Sequence, residues 1–142
     1  MVYKDFIDKI TTVLRADLNL SANIPFWFFG FPIEGEEKFP YIAVKFSGVD
    51  RPFDRRSSGK QTEIYRFIIR VRFSNAASDA AEKSALDNAE LVEAVLKSKN
   101  DLDGMADWGW SERNEAEPLP AKGNFAISGV DVEFSCEKRV TW

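Results

Sequence analysis

The stretch Thr62-Glu-Ile-Tyr-Arg-Phe-Ile-Ile-Arg-Val-Arg-Phe-Ser74, running through Asn75-Ala-Ala77 into Ser78-Asp-Ala-Ala-Glu-Lys-Ser-Ala-Leu-Asp-Asn-Ala-Glu-Leu-Val-Glu-Ala-Val-Leu-Lys-Ser98, decides the fold. Its first half alternates. Tyr65, Phe67, Ile69, Val71 and Phe73 take every second position, and Arg66, Ile68, Arg70 and Arg72 fall between them. Side chains on a strand point to opposite faces in turn, so one face is apolar and the other basic. From Asp79 to Lys97 the period becomes that of a helix. Ala81, Ala85, Ala89, Val92 and Leu96 line one stripe, which Leu86 and Val95 widen. A strand this long and this apolar requires other strands beside it and a helix above it.

Upstream, Phe39 to Ser47 alternates in the same way, with Ile42, Val44 and Phe46 on one side, Tyr41 and Lys45 on the other, and Gly48 as its end. Residues 49–61 have turn composition and a modest positive excess, and they join the two strands as a long hairpin connection. Residues 2–19 read as a helix: Tyr3, Phe6, Ile7, Ile10, Val13, Leu14 and Leu18 recur at helical spacing, Asn19-Leu-Ser21 begins the stop, and Pro25 prevents continuation. Pro25-Phe-Trp-Phe-Phe-Gly-Phe-Pro32 is the most apolar segment. Its prolines exclude a long helix and permit a short edge strand. Five aromatics within six positions serve either a core or an exposed protein-binding patch, and both readings stay open.

Downstream, Asn100 to Pro120 reads as an acidic loop carrying Trp108 and Trp110, which share a face if the backbone is extended. The last strand covers roughly Phe125 to Cys136, and the tail, Glu137 to Trp142, is open to one more short extended piece. Val130, Val132 and Phe134 face the core, and Asp131 and Glu133 face outward, where they can sit across from Arg66, Arg70 or Arg72. Such cross-strand pairs contribute about 0.2 to 1 kcal/mol each, a plain structural reason for the arginines. The expected architecture is α+β: a mostly antiparallel, twisted sheet of about four to five strands packed against two main helices.

At 142 residues one domain spanning the chain is expected, with room for a substantial core. Hydrophobic residues at 44% and charged residues at 30% exclude a disordered chain. The net charge of −4 argues against a general nucleic-acid binder. The N-terminus does not resemble a signal peptide, and no apolar run approaches the roughly 20 residues that span a bilayer, so a soluble cytoplasmic protein is expected. The single cysteine, Cys136, reads as a small buried hydrophobe. The unusual feature is aromatic content, 12 Phe and 4 Trp, a surplus that fits subunit interfaces as well as a Phe-rich core.

Little in the chain points to catalysis. Histidine is absent, which removes the commonest general base and zinc ligand. Ser57-Ser-Gly-Lys60 lacks the upstream glycine and the trailing Ser or Thr of a phosphate loop. Asp101, Asp103 and Glu112 have calcium-loop spacing, but Met105 and Ala106 stand where that loop needs Asp or Asn and then Gly. No enzyme activity, cofactor or metal is expected.

The order of these features resembles the tail terminator (tail completion) proteins of long-tailed bacteriophages, the lambda protein U type. An amphipathic N-terminal helix precedes Phe39-Pro-Tyr-Ile-Ala-Val-Lys-Phe-Ser-Gly48. A charged hairpin loop leads into the strand Thr62 to Ser74, the helix Asp79 to Lys97 and a closing C-terminal strand. The resemblance spans nearly the whole chain. Its most specific pieces are Phe-Pro-x-x-Ala-Val-x-x-x-Gly and the strand-to-helix passage.

The resemblance implies a virion protein, assembled in the bacterial host cytoplasm, that forms a hexameric ring. The ring caps the tail tube, ends its polymerisation and presents a joining surface to the head connector. Its partners would be further copies of itself, the major tail tube protein and head–tail connector proteins, with no membrane and no sequence-specific nucleic-acid contact. The aromatic segment and the two long loops are the candidate contacts: Phe26, Trp27, Phe28, Phe29, Arg51, Phe53, Arg55, Arg56, Lys60, Trp108 and Trp110. Two alternatives stand beside this one. One is another phage neck or head–tail joining protein. The other is a non-catalytic module that holds an anionic partner on the Arg66, Arg70 and Arg72 face.

Overall fold

The computed structural model describes residues 2–33, 36–51 and 60–141. In chain order these form α1 (Val2–Arg15), α2 (Leu18–Asn23), β1 (Phe26–Phe29), β2 (Tyr41–Asp50), β3 (Lys60–Asn75), α3 (Ser78–Ser98), β4 (Trp108–Arg113), β5 (Glu117–Lys122) and β6 (Phe125–Thr141). The alternating stretch is the central strand. β3 pairs antiparallel with β6 along its entire length and with β2 on its other side. The described strands make a six-stranded sheet of order β1-β2-β3-β6-β4, in which β5 takes the outer side of the first part of β6.

One face of the sheet carries the helices. Phe67, Ile69 and Val71 of β3, Ile42 and Val44 of β2, and Val132 and Phe134 of β6 are all at most 1% exposed beneath α1 and α3. Ala81, Ala85 and Ala89 are as deeply buried on α3, and their small side chains let its first turns lie close to the sheet before Val92 and Leu96 fill the wider end. Phe6 of α1 anchors the centre, its ring 4.9 Å from Tyr65 and 5.9 Å from Phe67. Burial of each such side chain stabilises by about 1.5 to 3 kcal/mol. The opposite face has no helix over it among the described residues.

The α+β class holds, with four differences of detail. The sheet is mixed, because β1 runs parallel to β2, and it has six strands with three helices. The first helix ends at Arg15; Asp17 then caps α2 by accepting a hydrogen bond from the Leu20 amide at 2.9 Å, so the expected stop Asn19-Leu-Ser21 is itself helical. That break turns Leu18 outward, at 85% exposure, away from the stripe its spacing predicts. Gly48 does not end β2; with a φ of 152° it sits at a bulge, past which pairing continues to Asp50.

The largest correction concerns Asn100 to Pro120. Residues 108–113 and 117–122 are strands, both laid on β6. β6 is 17 residues long, because the strand from Phe125 runs on through the extended tail without a break at Cys136, and its outer edge must be paired or left bare. The turn before β4 is fixed from several sides: Leu102 is fully buried, and Asp103 meets Lys9 and Lys99, each at 3.1 Å. The hydrogen bonds from those two lysines, Lys99 first, hold the Asp103 carboxyl below the usual carboxylate range. Of the residues with calcium-like spacing, Asp103 is thus engaged in ion pairs within the chain, and Asp101 accepts from the Asp103 amide.

Candidate assembly interface

The basic face of β3 is neutralised from within. Asp131 stands opposite Arg70 in the register, and its Oδ1 accepts from Arg72 Nη1 at 2.9 Å while Arg70 Nε lies 3.7 Å away. Arg66 pairs instead with Asp50, at 2.5 Å. Glu133 does not meet the arginines; its register partners are Ile68 and Glu112. Phe31, from the aromatic segment, folds back over this face and lies on the Arg70 guanidinium at 3.6 Å, an aromatic–cation stack that sequence spacing does not disclose. Tyr41 sits beside it, and burial pushes its hydroxyl pKa up while Arg72 and Arg70 pull it down. A shallow cleft of about 310 Å³ between Tyr41, Arg70, Arg72, Glu37 and Leu119 completes the patch. An anion-holding face has few free cations here.

The aromatic residues singled out in the sequence lie at the two ends of the sheet. β1 is one outermost strand. Trp27 and Phe29 pair in register with the core residues Ile42 and Val44, so they project on the helix side. Phe26 and Phe28 project on the open side, and Phe28 meets Tyr41 edge-on at 5.3 Å. Trp27 is half-buried and its indole donates to the Ile24 carbonyl at 3.0 Å, whereas Phe29 is 56% exposed. The segment is therefore divided between partly buried rings and the exposed Phe29. Cations ride over the strand, Arg15 above Trp27 at 5.9 Å and Lys38 above Phe26 at 5.8 Å.

β4 is the other end. Trp108 and Trp110 share its open side, as their spacing predicts for extended backbone, with ring centroids 4.9 Å apart and 48% and 39% exposure. The Trp108 indole donates to Glu137 at 2.6 Å. Between them the other side is small: Gly109 and Ser111 face the helix layer. A Cβ at Gly109 would lie 2.6 Å from the Phe134 ring and 2.7 Å from the Asn100 carbonyl oxygen, so close approach demands glycine there. Beside it, between β4 and the last turns of α3, runs a groove of about 350 Å³ lined by Ala94, Leu96, Gly109 and Ser111 among others. The groove is not among the expectations from the sequence, though the large–small alternation Trp108-Gly-Trp-Ser111 carries its signal.

Of the loop candidates, Arg51 is committed within the chain, its Nε donating to Glu63 at 2.5 Å; Glu63 in turn accepts from the Tyr65 hydroxyl at 2.8 Å. Phe53, Arg55 and Arg56 lie outside the described residues, as does the Lys60 side chain, although its backbone opens β3. Among the described residues no three His, Cys, Asp or Glu side chains gather as a metal site, and no helix is long and apolar enough to cross a membrane.

No protein-family description and no curated protein sequence matches the chain. Its fold is similar to a chain of a solved structure described as the virion of a native gene transfer agent particle. The two are 14% identical, with 92% of each chain covered and a TM-score of 0.45.

Proposed function

We propose that this chain is a structural subunit of a phage-type tail, one that forms a ring on the end of the tail tube, stops tube growth and offers the joining surface for the head connector. It acts by binding and not by catalysis. The observation that carries this reading is the placement of exposed aromatics on two different surfaces, Phe29 at one outer strand and Trp108 with Trp110 at the other. A subunit with two unlike sticky ends associates head to tail, and a head-to-tail contact closes into a ring when its rotation permits. The sequence adds to this, since its N-terminal helix, the strand from Phe39, the strand from Thr62 with its following helix and the closing strand come in the order that resembles tail terminators.

The test is a tube-assembly assay. Purified protein added to polymerising tail tube subunits is expected to arrest the tubes at a fixed length and to be retained at one tube end in electron micrographs. A protein that stays monomeric and leaves tube length unchanged rules the reading out.

A further inference from the structure

We infer that the subunit contact is a continuation of the sheet itself: β1 of one copy adds to the free edge of β4 of the next, and Phe29 enters the groove between β4 and α3. This rests on the ring reading above and names the surfaces that would make it.

Three strands stand outermost among the described residues, β1, β4 and β5; β2 is also uncovered beyond Val44, where Lys45 and the bulge at Gly48 guard its edge. β5 carries Pro118 and Pro120, which have no amide hydrogen to offer, so its edge is closed to strand addition. β4 and β1 contain no proline and no lysine, the usual edge guards. Strand addition keeps the two faces of a sheet continuous. Joining β1 to β4 therefore puts Phe29 on the helix side, where the groove offers room for a phenyl ring between Ala94, Gly109 and Ser111. The same joining puts Phe26 and Phe28 on the open side, next to the Trp108–Trp110 pair.

Charge points the same way. Arg15 and Lys38 lie directly over the β1 rings, with Glu36 and Glu37 on the loop beyond. The β4 end has acids in excess: exposed Asp107 and Glu112, Glu137 beside Trp108, and Glu90 and Glu93 on α3, against Lys97, Arg113 and Arg139. Glu93, on the groove wall, has a buried Oε1 that makes an ion pair with Arg113 at 3.2 Å but accepts no hydrogen bond, an acceptor that Arg15 of a second copy could meet. Two β4 ends would bring their acidic groups together, which disfavours that pairing, whereas the β1 end, with two cations and two acids, faces them without net repulsion.

Edge-blocking variants test this by light scattering and native mass spectrometry. Phe29→Lys closes the β1 edge and Trp110→Lys closes the β4 edge; both side chains are exposed, and circular dichroism checks the fold. The wild-type chain is expected to associate with rising concentration, and each variant alone to remain monomeric. An equimolar mixture of the two is expected to give heterodimers and nothing larger, because one intact contact survives. Amide exchange of the wild-type chain is expected to slow on association within 26–29 and 108–113.

Self-association of either variant at the wild-type stoichiometry, or a mixture that stays monomeric, overturns the inference while leaving the ring reading intact. A slowing of exchange confined to other segments does the same. A wild-type chain monomeric at about 1 mM overturns it outright, since a contact weaker than about −4 kcal/mol is no sheet continuation, and the capping role is then judged on tube length alone.

Discussion

The Arg72 guanidinium lies flat on the bare backbone of Gly129, its register partner across the β3–β6 pair. A Cβ at position 129 would stand no more than 2.6 Å from three guanidinium atoms. That seat holds Arg72 Nη1 within 3.0 Å of the Val71 carbonyl and 2.9 Å of Asp131. Gly129→Ala therefore displaces a buried cation from its partners. The arginine can swing aside, so the cost is lost pairing and not a rigid clash: about 1 to 2 kcal/mol in a urea titration. An unchanged midpoint would show that the guanidinium has an equally good alternative position.

The three arginines of β3 are predicted to differ in weight. Arg66 and Asp50 are both about half exposed, and Arg66→Gln is expected to cost under about 1 kcal/mol. Arg72 is 10% exposed and Asp131 24%, so Asp131→Asn strands a nearly buried guanidinium and is expected to cost about 2 to 3 kcal/mol. Changing Arg66, Arg70 and Arg72 to Gln together is expected to lower stability and leave partner binding intact. Loss of binding with an unchanged melting temperature would restore the anion-binding alternative.

What the sequence discloses depends on whether a residue's environment is local. β3 and α3 are legible because their periods are long and unbroken, and the burial of Tyr65, Phe67, Ile69 and Val71 follows the alternation, which fails only at the strand's far end, where Phe73 is half-buried and Arg72 buried. Asp131 was legible too, since a charged residue between core positions has a forced side. β4 and β5 were not, because their acids, glycine and prolines imitate a loop, and the reason they are strands is the length of β6 beside them. The parallel sense of β1 and the fold-back of Phe31 onto Arg70 are tertiary events with no local period. For the loop arginines, Arg55 and Arg56, composition remains the ground of the reading.

Cys136 and Tyr65 make a prediction for alkaline pH. Burial pushes the Cys136 thiol from its ordinary 9.0 up to about 12, with Lys138 pulling weakly the other way. Burial first, then the hydrogen bond to Glu63, raises the Tyr65 hydroxyl from 10.0 to about 12. Below about pH 8 both groups are protonated in the folded and unfolded chains alike. From there to about pH 12 the unfolded chain releases protons that the folded chain keeps, so stability falls as pH rises through that window. Urea midpoints measured across it are expected to decline, and Cys136→Ala to flatten the slope. In the native chain the thiol is expected to resist alkylation at about pH 8 and to react on unfolding. A midpoint independent of pH, or a thiol that alkylates freely in the native state, contradicts this burial.

The pairing of Trp108 with Trp110 tests whether β4 is a strand. In an acidic loop the two indoles would sample many separations. On a strand held by β6 they stay on one side, with centroids 4.9 Å apart and planes inclined by 36°. Two such chromophores couple, so the far-ultraviolet circular dichroism of the native chain is expected to contain an exciton couplet. Trp108→Phe and Trp110→Phe should each abolish it completely, because coupling needs both partners, while the remaining spectrum stays that of the folded sheet. Stability should behave likewise: a double-mutant cycle with alanine is expected to give a coupling energy of about 0.5 kcal/mol, the lower end for aromatic pairs because both rings are partly in water. The Trp108 indole also holds Glu137, so the single alanine change at 108 should cost more than that at 110. A spectrum equal to the sum of two independent tryptophans, together with a vanishing coupling energy, would return residues 108–113 to a loop and remove the edge on which sheet continuation depends.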